Sequence, residues 1–243
     1  MSDTSGAPPQ SAKLIGCGSF AALYESLLIT SPSHQPGSVL VCSASPGEGA
    51  TTVATGLALA AAGLTQGPVL LVDCDRHRQS SPEYFGNSGT LDVRGFVETL
   101  DVDEAVRLGG SPLSSRIHEA GGKLHGALFA RTFLPNLWRM GFPSEDKLPA
   151  KRLEPPKFGE FLEVVGRSIP FTVIDGPSVN SCPDSVLLAP QVGRVLFVVQ
   201  AGITRTPVAL QALSRLGEEV RSKIEVVMNR RVFVIPKKIY DRL

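Results

Sequence analysis

Paired cysteines are missing from this sequence. Cys17, Cys42, Cys74 and Cys182 are scattered with no CxxC spacing, which argues against a zinc site or a disulfide frame and suits a reducing compartment. The four histidines lie apart and none opens an HExxH-type pattern, so no metal-hydrolase motif is present. An excess of one charge is also lacking: the formal net charge is only +1, and nothing global points to nucleic acid or an anionic surface. No apolar run is long enough to cross a bilayer. The longest, around residues 51–64, is interrupted by threonine and glycine. The opening MSDTSGAPPQSAK carries an acid and no apolar segment, unlike a signal peptide. No serine, histidine and acid stand in a nucleophile-elbow context. GCGSFA (from Gly16) imitates a dinucleotide-binding glycine pattern. It lacks a preceding buried strand and an acid some twenty positions on, so it reads as a turn before a helix. A cytosolic, soluble protein is expected.

What is present is a set of short apolar runs. They are SVLVCSA (from Ser38), PVLLVDCD (from Pro68), FTVIDGP (from Phe171), GRVLFVVQAG (from Gly193) and IEVVMN (from Ile224). Each is continuous rather than alternating, which predicts strands buried on both faces of a parallel sheet. Between the first two, TTVATGLALAAAGL is small and apolar all round and predicts a buried helix, with Gly63 at its C-cap. VALQALSRLGEEV (from Val208) predicts an amphipathic helix with Leu210, Leu213 and Leu216 on one side. The fold class is α/β: a mostly parallel sheet covered by helices on both faces, with right-handed crossovers. With 243 residues and 42% apolar content, one domain over 13–243 is expected after a disordered leader at 1–12. GGSPLSSRIHEAGG (109–122) reads as a mobile loop and FPSEDKLPAKRLEPPK (142–157) as a surface connection.

The chemistry concentrates in SASPGEGATTVA (from Ser43). A strand runs into Pro46, Gly47, Glu48, Gly49, Ala50, Thr51 and Thr52, and a helix follows. The two glycines allow left-handed turns that point backbone N–H groups inward, and the helix N-terminus adds partial positive charge. This is the context of a phosphate-binding loop, with Thr51 where the motif places a hydroxyl on magnesium. A tight strand-to-helix turn would use the same glycines. Ala50 stands where such a loop carries lysine. A charge-assisted hydrogen bond is worth about 1.5–3 kcal/mol, and losing one preorganised donor to a transition state costs roughly a hundred- to a thousandfold in rate. The amide cradle survives the alanine, so weak binding is expected to outlast efficient phosphoryl transfer. Asp73 and Asp75 end LLVDCD, and Asp175 ends TVID. Carboxylates at that edge of an open sheet suit magnesium ligation or the orientation of a nucleophile.

In this order the motifs resemble the cytoplasmic domain of the bacterial tyrosine kinases of capsule and exopolysaccharide export, within the P-loop ATPases that include septum-positioning and partition proteins. The resemblance runs from about Leu23 to the end. It implies a Walker A loop at PGEGATT, an A′ strand at LLVDCDRHR and a Walker B strand at FTVIDGP. It further implies ATP or ADP with magnesium held by Thr51, Asp75 and Asp175, tyrosine activation by Asp73, Asp75 and Asp175, and an adenine contact from Asn229. The implied partner is the cytoplasmic segment of a chain-length-determining inner-membrane protein, with no nucleic acid.

The departures bear on activity. Ala50 replaces the lysine. Ala22, Glu25 and Leu28, in AALYESLLIT, align with the glutamate and two arginines that join subunits into a ring, and none of the three positions keeps its residue. The tyrosine-rich tail is reduced to Tyr240, the remaining acceptor candidate beside Tyr84. A degenerate, weak or inactive kinase-like regulator is the expectation. The alternatives are a live autokinase using Arg76, Arg78 or Arg205 as its cation, and a positioning ATPase. The latter would need an early loop lysine, where Ser45 stands, and a membrane-binding surface such as RRVFVIPKKIYDRL.

Overall fold

The computed structural model describes residues 14, 17–31, 37–75, 85, 128–132, 134–141, 155–167 and 169–231. The chain begins with α1 (Gly18–Thr30), β1 (Gly37–Ser43), α2 (Ala50–Leu64) and β2 (Val69–Asp73). It continues with β3 (Leu128–Arg131), β4 (Leu137–Gly141), α3 (Pro155–Gly166), β5 (Phe171–Asp175) and the short α4 (Asp184–Leu188). It closes with β6 (Arg194–Gln200), α5 (Thr206–Leu216) and β7 (Ile224–Asn229). The strands form one sheet in the order β3-β4-β2-β5-β1-β6-β7. Every neighbouring pair is parallel except β3 with β4.

All five apolar runs become strands, and four of them are continuous because both faces are covered. Along β1, Val39 and Val41 join a core closed by α1 and α2, while Leu40 and Cys42 join a second core closed by α3, α4 and α5. Helix α2 packs closely because its residues are small. A side chain at Gly56 would overlap the Phe20 ring of α1. The two strand carboxylates share parity with Val69, Leu71 and Val173, so Asp73 and Asp175 project on the α2 side, at the C-terminal edge.

Several expectations need correction. IEVVMN is not buried on both faces: β7 ends the sheet, and Val226 and Met228 are 60% and 59% exposed. Leu210 is likewise 60% exposed. The stripe of α5 that faces the core is Ala209, Ala212, Leu213 and Leu216, because steps of three and four residues, and not three alone, keep to one face of a 3.6-residue helix. Gly63 lies inside α2 and does not cap it. The cap is Thr65, whose N–H bonds the Ala61 carbonyl, and the Asn136 amide reaches the carbonyls of Ala62, Thr65 and Gly67 at 2.9, 3.0 and 3.2 Å. GSF of GCGSFA belongs to α1 rather than to a turn before it. Strands β3 and β4 were not anticipated. The 142–157 connection ends in helix, since Pro155, Pro156 and Lys157 open α3. The leader 1–12, the stretch 109–122, residues 142–154 and the C-terminal run from Val232 lie outside the described residues.

Candidate functional site

The loop after β1 sits at the centre of the sheet, where β5 and β6 flank β1 and the chain leaves in opposite directions. That crevice is where open α/β sheets place ligands. Gly47 and Gly49 have φ of 88° and 96°, as the loop's turns require. Gly49 caps α2 without any side-chain hydrogen bond, so the first-turn amides of that helix lack intrahelical partners. A cavity of about 350 Å³ opens above them. Pro46, Gly47, Gly49, Ala50, Thr51 and Thr52 line it from the loop. Asp75 lines it from the end of β2, and Ser178, Ser181 and Cys182 from the segment after β5. Ala50 thus faces the cavity that a lysine at its position would enter.

Four further sequence-predicted residues stand behind this lining. Glu48 is buried, and its carboxylate accepts hydrogen bonds from the Ser45 N–H at 3.0 Å and the Thr204 hydroxyl at 2.6 Å. Its side chain therefore braces the loop against the β6–α5 connection. Asn229 donates from Nδ2 to the Glu48 carbonyl at 2.9 Å and accepts from the Arg230 N–H at 2.8 Å. Both ends of its amide are engaged by protein, and a side chain at Gly49 would overlap it. Asp73 and Asp175 are adjacent in register across β2 and β5, and both are buried. Tyr240, Tyr84, Arg76 and Arg78 lie outside the described residues. Arg205 is the N-cap residue just before α5 and does not line the cavity. At the aligned ring positions, Ala22 and Glu25 are exposed, and Leu28 packs against the α1–α2 core.

Burial pushes the Asp175 carboxyl well above the usual range. Asp73 and, less strongly, Asp75 push the same way, while the nearby Thr51 hydroxyl opposes them. Neither Asp175 oxygen has a hydrogen-bond partner of ordinary geometry among the described residues, despite the proximity of Thr51. An orphaned buried carboxylate beside two further acids fits a divalent cation, which would supply the missing positive charge. No three His, Cys, Asp or Glu among the described residues form a self-sufficient metal cluster. Magnesium does not require one, since it keeps waters and shares phosphate oxygens.

Sequence reasoning missed two arginines here. Arg139, on β4, is buried with Asp73 as its nearest charged influence; burial lowers its pKa and Asp73 opposes that. It lies opposite Leu71, two residues before Gly141, which pairs with Asp73. A charged residue in an otherwise apolar strand was the available signal. Arg230 lines the cavity from just beyond β7. Cys42, buried behind the site, is held as a thiol: burial, then Asp175, push it up to about 12.

Comparison of the sequence with protein-family models and with curated proteins finds no match. Solved structures do match. The kinase domain of the Escherichia coli tyrosine kinase ETK is 18% identical, with 90% of this chain and 78% of that one covered at a TM-score of 0.61. The VpsO kinase domain is 25% identical over 92% and 97%, with a TM-score of 0.63. The MinC:MinD cell division complex of Aquifex aeolicus is 17% identical over 84% and 71%, with a TM-score of 0.55. The loop at the centre of the sheet, the acids at the ends of β2 and β5 and these neighbours agree: the chain has the P-loop NTPase-like α/β fold of the bacterial tyrosine kinase domains.

Proposed function

We propose that this chain is a nucleotide-binding, catalytically weak or inactive relative of the bacterial tyrosine kinases. In this reading it acts as a cytoplasmic regulator of exopolysaccharide or capsule polymerisation and export, docked on the cytoplasmic segment of a chain-length-determining membrane protein. One observation carries the catalytic half: Ala50 lines the cavity at the position where the loop's lysine would project, in a site otherwise furnished with glycine turns and acids. The similarity to tyrosine kinase domains supports the pathway. Among the described residues no helix is long and apolar enough to cross a membrane.

In this reading the amides at the start of α2 bind phosphate oxygens, and Thr51, Asp75 and Asp175 would hold magnesium. Magnesium, when bound, neutralises charge on the phosphates. Asp73 stays beside Asp175, and Arg139 offsets part of the acid charge without entering the cavity lining. Glu48, Thr204 and Asn229 hold the loop in shape through their hydrogen bonds. The loop thus binds without the mobile ammonium that follows charge as it shifts during transfer.

The test is calorimetric titration with magnesium-ADP of the parent and of Ala50→Lys, together with ATP hydrolysis and tyrosine autophosphorylation. Weak binding by the parent, tighter binding by Ala50→Lys and no measurable turnover by the parent are expected. Turnover by the parent at rates ordinary for kinases, about 1–100 per second, would overturn the proposal.

A further inference from the structure

Resting on that nucleotide reading, we infer that Arg230 supplies the cation that contacts the phosphates of a nucleoside diphosphate in this cavity, in place of the side chain lost at position 50. Among the described lining residues it is the one cation. Its backbone is unusual. With φ of 55° it is the one non-glycine residue with positive φ among those described, a conformation that costs an ordinary side chain energy and concentrates at functional positions. The Asn229 side chain holds that turn by accepting the Arg230 N–H, and the same amide grips the Glu48 carbonyl of the loop. Arg230 is therefore coupled to the phosphate loop through a single intervening residue.

The guanidinium is also available. Arg194 is paired with Glu225, and Arg221 with Glu218 at 3.0 Å. Arg230 instead has a neutral partner, donating from Nη1 to the Gln200 Oε1 at 3.2 Å, and no carboxylate among the described residues. A planar fork steadied on one side by a neutral amide keeps donors for an anion. Asp75 lines the same cavity, so a phosphate entering without a compensating cation would meet a carboxylate. Coming from the end of β7 rather than from the loop itself, the arginine can hold a bound diphosphate while leaving the catalytic lysine's position empty of charge. That separates binding from transfer.

The experiment measures magnesium-ADP affinity of the full chain and of Arg230→Gly, Arg230→Lys, Ala50→Lys and the double variant Arg230→Gly/Ala50→Lys. Glycine suits the left-handed backbone, so Arg230→Gly is expected to keep the thermal midpoint while weakening binding about ten- to a hundredfold. Arg230→Lys keeps most of the affinity, and adding Ala50→Lys to Arg230→Gly restores binding. Unchanged affinity in Arg230→Gly, or equal losses in the glycine and lysine variants, overturns the inference and leaves the nucleotide reading standing. Binding by Ala50→Lys when the parent shows none overturns the inference together with the reading of the parent as a nucleotide binder. Absence of binding by every protein, Ala50→Lys included, overturns both.

Discussion

Strands β1 and β7 start from similar sequence and end in different environments. SVLVC and IEVVM are both rich in β-branched and apolar residues, yet Leu40 has no exposed surface while Val226 is 60% exposed. The difference is position: β1 has β5 and β6 as neighbours, and among the described residues β7 has β6 alone. Both nevertheless deliver the site. The central strand presents a loop whose conformation is written in its own glycines. The edge strand presents Asn229 and Arg230, which matter because the sheet brings them across to that loop. The contrast teaches that burial and function are separable along a sheet: the edge carries little of the core and a full share of the pocket.

Three substitutions would break or sharpen this contrast. Leu40→Ala empties a fully buried position and is expected to cost about 2–5 kcal/mol, whereas Val226→Thr should stay within about 0.5 kcal/mol. Denaturant melts of the two check this, and similar losses would show that β7 is covered in solution. Gly49→Ala comes next. It forces a side chain into left-handed backbone and into the Asn229 amide, so it should cost about 2–3 kcal/mol, adding a lost hydrogen bond to the conformational penalty. Magnesium-ADP binding should fall with it, and retention of both stability and binding would refute the clamp between loop and edge strand.

A further effect has the opposite sign. The folded-state pKa of Asp175 is raised, so the native protein takes up this proton more readily than the unfolded chain. Its ionisation lowers stability as pH rises from the unfolded value through the folded one. Without nucleotide or metal, Asp175→Asn should therefore raise Tm at pH 8, where the parent carries the buried charge. The gain should shrink on acidification. Thermal melts across pH 4–8 measure it, and a lower Tm at pH 8 would show that the carboxylate has a partner in solution.

Much of the site was legible because it is local. Ser43 to Thr52 specify strand, turn and helix within ten residues, and the glycines declare the backbone angles the turn needs. Asp73, Asp75 and Asp175 were legible as strand-end acids. The role of Glu48 was not. It looked like a loop residue available to ligand, but Thr204, 156 positions away, takes its carboxylate. Asn229 was readable as a site residue through the order of motifs, while its hydrogen bond to the loop was not. Arg139 escaped notice because β4 itself did. A run of four or five residues interrupted by arginine carries too little periodicity, and the strand is defined by pairing with β2, 68 positions earlier in register.

By itself, then, the sequence determined the α/β class, the strand cores, the phosphate-type loop and the replacement of its lysine, because each is encoded over a few neighbouring residues through backbone preference and apolar pattern. The tertiary structure alone decided the strand order, which strand lies at the edge, the bracing of Glu48 and the approach of Arg230 to the cavity. Those depend on contacts between residues far apart in the chain, and their energies exist only once the sheet has closed.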